Sequence, residues 1–136
     1  MLVREIMHFP VITVGMDDSL NTARTLLARH NIHHLVVRSE GKVVGVVSDR
    51  DVWTHLSPFV GREWSERQQD LETLERRVHQ IMSRDPVLVS PETDAADAAA
   101  LLVREGVSCL PVTDDGGKLV GIVTTKDLLA AAYGID

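Results

Sequence analysis

Hydrophobic and polar positions along the 136-residue chain follow one pattern, written twice. Val11–Val14 reads as a short extended run near the start, and Val87–Val89 repeats it. Each is followed by apolar residues three and four apart: Leu20, Ala23, Leu26 and Leu27, then Ala95, Ala98, Leu101 and Leu102. That spacing lays one apolar stripe along a helix. Asp17-Asp18-Ser19 and Thr93-Asp94 offer acceptors to the free N–H groups at the helix starts. Asn31 and Gly106 tolerate the left-handed backbone that ends such helices. Two strands follow, Leu35–Arg38 and Val43–Val47, matched by Leu110–Thr113 and Leu119–Val123. Glu40-Gly41 and Asp115-Gly116-Gly117 read as the turns between them. A last helix starts near Ser48, and again near Thr124. The predicted unit is β-α-β-β-α, and the predicted class is mixed α/β (α+β).

The copies also match residue by residue. Ile6-Met7 before Pro10-Val11 recurs as Ile81-Met82 before Pro86-Val87, and Leu35-Val36-Val37 recurs as Leu110-Pro111-Val112. The offset is 75 positions from Ile6 to Ile81 and 76 from Asp51 to Asp127. A constant period in constant order marks a true internal repeat. The boundaries drawn from it are 1–56 for the first repeat, 57–78 for an insertion and 79–136 for the second repeat. In the insertion, Trp64, Leu71, Leu74, Val78 and Ile81 are spaced 7, 3, 4 and 3 apart, which predicts an amphipathic helix. It reads either as a connector packed on the pair or, with Trp53 and Phe59, as a dimer or partner surface.

Composition narrows the function. Apolar residues are 44% of the chain and aromatics only 4%, so Val, Leu, Ile and Ala must build the core. The net charge is −6 with no basic run, which argues against nucleic acid as the main ligand. An acidic chain that binds a phosphorylated ligand must gather positive charge locally. The single cysteine, Cys109, permits no internal disulfide and fits a reducing cytoplasm. The first residues lack the apolar core of a signal peptide, and no stretch reads as a membrane span.

Gly45-Val46-Val47-Ser48-Asp49-Arg50-Asp51-Val52 and Gly121-Ile122-Val123-Thr124-Thr125-Lys126-Asp127-Leu128 resemble the most diagnostic motif of CBS domains. These domains are named after cystathionine β-synthase and occur also in inosine monophosphate dehydrogenase and AMP-activated kinase. Ile81-Met82-Ser83-Arg84-Asp85-Pro86-Val87 resembles the usual family opening. The resemblance covers nearly all of the chain except about 54–78. It implies a stand-alone pair of repeats (a Bateman module) with pseudo-twofold symmetry and two clefts between the copies. It also implies a ligand such as AMP, ADP, ATP or S-adenosylmethionine, no required cofactor, a homodimer, and an effector protein that receives the signal.

The chemistry of the motif suits that role. A carboxylate accepts from both hydroxyls of a ribose at once, and Asp51 and Asp127 are the candidates. Ser48 and Thr124 sit three residues earlier at a helix start, where hydroxyls and free N–H groups favour a phosphate. Arg50 and Lys126 add charge, and Val46 and Ile122 offer apolar surface to adenine. The resemblance implies that Asp127 shares a cleft with Val11, Ile12, Ile32, His33 and His34, and Asp51 one with Val87, Leu88, Val107, Ser108 and Cys109. Since Ser108 and Cys109 replace two histidines, the Asp127 cleft is expected to bind phosphate better. Ser-x-x-Asp and Thr-x-x-Asp also read as ligand-free capping boxes, although Asp is shorter than the usual Glu or Gln and should close the box less well.

His30, His33 and His34 cluster, yet no second Cys or near carboxylate completes a metal set. His8 and His79 flank the Ile-Met pairs without recognisable partners. No Walker loop, Gly-x-Ser-x-Gly or catalytic triad pattern is present, so no enzyme activity is expected. Two functions stay open: a regulatory sensor of adenosine ligands, or a ligand-free scaffold for protein–protein contact.

Overall fold

The computed structural model describes residues 1–56 and 71–135. They form two compact units, one made of 12–84 and the other of 1–11 with 85–136. Each repeat therefore takes the leading segment of the other copy: 1–11 belongs with the second repeat, and the stretch ending at Arg84 with the first.

In the unit 12–84, β1 (Thr13–Gly15) runs parallel to β2 (His34–Ser39), which pairs antiparallel with β3 (Lys42–Ser48). β4 (Ser83–Arg84) pairs antiparallel with β3 at the edge, setting Val46 opposite Ser83. Helices α1 (Leu20–His30) and α2 (Asp49–His55) complete the unit. Leu20, Ala23 and Leu27 of α1, Leu35 and Val37 of β2, Val47 of β3, and Val52 of α2 share one core with Val78, Ile81 and Met82. The period-2 alternation of the strands turns Leu35, Val37 and Val47 inward.

The other unit repeats this plan with α3 (Ala95–Glu105), β5 (Cys109–Thr113), β6 (Leu119–Thr124) and α4 (Thr125–Tyr133). Its core holds Val3 from the N-terminal segment among Val89, Ala98, Leu102, Leu110, Val112, Val123 and Leu128. His8 bridges Ile122 at the edge of β6, as Ser83 does Val46 on β3. These edge contacts explain the glycine that opens each motif. A β-carbon on Gly45 would stand 2.7 Å from both Met82 Sδ and the Ser83 carbonyl oxygen, and one on Gly121 would stand 2.5 Å from Met7 Sδ.

The predicted caps form: Ser19 accepts from the Thr22 N–H, Asp94 from the Ala96 N–H, and Asn31 and Gly106 end their helices with φ of 52° and 66°. Two expectations need correction. The strand expected at 87–89 reduces to one parallel bridge, Val89 to Val112. Pro111 stands where the first copy has Val36, and it has no N–H to extend the ladder. The single amphipathic helix expected up to Ile81 is, over 73–81, two 3-10 turns, Thr73–Glu75 and Val78–Gln80. Its backbone groups are taken elsewhere: Leu20 N–H donates to the Arg76 carbonyl, Val78 N–H to Asp18 and His79 N–H to Met16, at 2.8, 2.8 and 2.9 Å. Phe59 and Trp64 lie outside the described residues.

Candidate functional site

Ser48 and Thr124, the last residues of β3 and β6, are the N-caps of α2 and α4, and their extended backbones bring each motif into a ring. Ser48 Oγ accepts from the Asp51 N–H at 3.1 Å, and Asp51 Oδ2 accepts from the Ser48 N–H at 2.8 Å. Thr124 Oγ1 accepts from the Asp127 N–H at 3.2 Å. Asp127 Oδ2 accepts from the Thr124 N–H at 2.8 Å and from its hydroxyl at 2.9 Å. Aspartate, though shorter than the usual Glu or Gln, closes both boxes. The N-cap φ and ψ, near −101° and 165° or −116° and 167°, carry the cap N–H to the shorter carboxylate.

The second carboxylate oxygens differ. Asp127 Oδ1 lies 2.6 Å from His8 Nε2, so the histidine for which the sequence suggested no partner has one 119 positions away. The Asp51 carboxylate accepts from the Ser48 N–H through Oδ2.

Each strand start lies beside the helix start of its own unit. His34 is opposite Ser48 and Cys109 opposite Thr124. Asp49 N–H donates to the His33 carbonyl at 2.9 Å, as Thr125 N–H does to Ser108 at 3.0 Å. Ile32, His33 and His34 thereby adjoin Ser48, Arg50 and Asp51, while Val107, Ser108 and Cys109 adjoin Thr124, Lys126 and Asp127. Arg50 and Lys126 are exposed; Val46 and Ile122 are half-buried on the sheet face opposite the core residues Val47 and Val123. Ile12 packs against the core of one unit and Val87 against that of the other. Val11 is half-buried, Leu88 exposed, and Cys109 buried.

Asp49, which sequence reasoning passed over, accepts from His33 Nδ1 at 2.7 Å. Burial pushes its carboxyl up, but hydrogen bonds from His33 and from the Arg50 N–H outweigh this, and its pKa falls below the ordinary value. His34 is held below the usual histidine value, chiefly by burial and further by His33, against the opposing pull of Asp49 and Asp51. It is a poorer cation near neutral pH than its sequence position suggests. A pocket of about 210 Å³ opens between α1 and α2, lined by Leu27, Val52, Arg24, His33 and Trp53 among others. That is below the roughly 300 Å³ at which ligand pockets begin. Among the described residues, no three His, Cys, Asp or Glu side chains are grouped to hold a metal ion, and no helix is long and apolar enough to cross a membrane.

Against known proteins, the family model described as CBS domain matches residues 3–52 and 78–134. A CBS domain-containing protein of Dictyostelium discoideum is 34% identical over 130 residues, covering 94% of this chain and 88% of that protein. An inosine-5′-monophosphate dehydrogenase of Korarchaeum cryptofilum is 36% identical over 118 residues, 87% of this chain but only 21% of the enzyme. Among solved structures, a CBS domain pair in complex with 5′-methylthioadenosine and S-adenosyl-L-methionine superposes with a TM-score of 0.80 at 26% identity, over 100% of this chain and 98% of that one. CBSX2 in complex with AMP superposes with a TM-score of 0.76 at 30% identity, over 98% and 97%.

Proposed function

Because the chain belongs to the CBS domain family, we propose that it is a regulatory module that binds an adenosine-containing ligand and passes that signal to a partner protein. The observation that carries this is the hydroxyl-x-x-Asp ring, built twice in equivalent places, in a chain whose fold matches pairs solved with AMP and with S-adenosyl-L-methionine. The carboxylate of each ring takes the ribose hydroxyls, and Arg50 or Lys126 meets a phosphate or other anionic tail. The role is regulatory, in the cytoplasm, with no cofactor required.

One observation favours the scaffold alternative. Both Asp51 and Asp127 are already satisfied as caps, so the motif has a structural use without ligand. Thermal unfolding with AMP, ADP, ATP and S-adenosylmethionine separates the two. A ligand at a hundred times its Kd stabilises by about 2.7 kcal/mol. A rise in the midpoint with at least one of them is expected, and no rise with any leaves the scaffold.

A further inference from the structure

The two copies of the motif differ in what faces the carboxylate. Asp127 has both oxygens engaged: Oδ2 by Thr124, and Oδ1 by His8 Nε2 at 2.6 Å. Asp51 has Oδ2 engaged by Ser48. Ser83 occupies the strand position equivalent to His8, bridging Val46 as His8 bridges Ile122. A serine side chain is too short to reach as an imidazole does.

We propose that His8 is a specificity residue that occupies the diol-accepting oxygen of Asp127, so that Asp51 offers the tighter of two unequal sites. This rests on the adenosine-binding role above, and it reverses the order that the histidines at 33 and 34 suggest from sequence. A ribose diol needs an acceptor with free lone pairs, and an imidazole nitrogen on Oδ1 competes for them. His8 is held in place by its backbone, donating to the Ile122 carbonyl at 2.9 Å and accepting from the Ile122 N–H at 3.1 Å. Its side chain is 70% exposed, whereas that of Asp127 is 11% exposed. The ring can therefore swing away by side-chain rotation while the edge bridge stays intact. With its imidazole half open to water the pair is weak, so the ligand displaces the ring and loses roughly two- to fivefold in affinity.

The test is calorimetry with AMP on chains that keep one carboxylate. Asp51→Asn leaves the Asp127 site, and Asp127→Asn leaves the Asp51 site; asparagine retains an acceptor for the cap, which protects folding. Adding His8→Ser to Asp51→Asn is expected to tighten AMP binding roughly two- to fivefold, or to create measurable binding where there was none. Adding it to Asp127→Asn is expected to change nothing. An unchanged or weakened affinity in the Asp51→Asn background, or an equal gain in both backgrounds, overturns the proposal while leaving the adenosine-binding role in place. Wild-type protein that binds neither AMP nor S-adenosylmethionine overturns both.

Discussion

At Gly45 an added methyl group would meet a backbone carbonyl as well as Met82, while at Gly121 the three nearest atoms all belong to the Met7 side chain. Overpacking of this sort typically costs about 1–3 kcal/mol, and a methionine thioether yields more readily than a peptide group. Gly45→Ala is therefore expected to destabilise more than Gly121→Ala in urea unfolding; equal losses would show that the Ser83 carbonyl is not the obstacle. His34 supplies a second prediction. Its depressed pKa means that the unfolded chain holds more protons just below pH 6.5. Its stability contribution is complete above that value and is lost as pH falls through the folded pKa. An NMR titration should place its midpoint below 6.5, and His34→Gln should flatten that part of the stability profile; a midpoint at or above 6.5 contradicts this. The motif aspartates were legible in the sequence because their neighbours repeat. The His8 partner was not, because a contact spanning 119 positions leaves no local pattern.

At the scale of elements, the helix stripes, the left-handed exits at Asn31 and Gly106 and the paired strands follow from local periodicity and turn chemistry. The segment around 76–79 does not, because its backbone bonds to residues 16–20 compete with helix and win. The closed boxes give α2 and α4 their starts, so the capping half of the sequence alternative is realised in the structure. Asp51→Ala is expected to lower stability by about 1 kcal/mol. Through the lost ribose contact to a charged group, it is also expected to weaken AMP binding by roughly 1.5–3 kcal/mol. Denaturation and calorimetry on the same variant check the two together. A stability loss with binding intact would return Asp51 to a purely structural role.

For the whole molecule, exposed apolar residues beside the motif helices bear on self-association. Val52 and Leu128 are 1% and 8% exposed within their own cores, while Trp53 and Leu129 beside them are 64% and 53% exposed. Twofold dimers are the commonest assembly of soluble chains, and a dimer using Trp53 and Leu129 is expected to sediment at twice the 15.0 kDa chain mass. Trp53→Glu with Leu129→Glu should yield monomer; a wild-type monomer at micromolar concentration would rule the dimer out.

Amide NMR with AMP tests residue by residue whether an adenosine ligand binds at the two repeated motifs. The expected result is saturable shifts at both Ser48–Asp51 and Thr124–Asp127, with the Asp51 set saturating at lower AMP concentration. Saturable shifts confined to other parts of the chain, or none at millimolar AMP and S-adenosylmethionine, would contradict it.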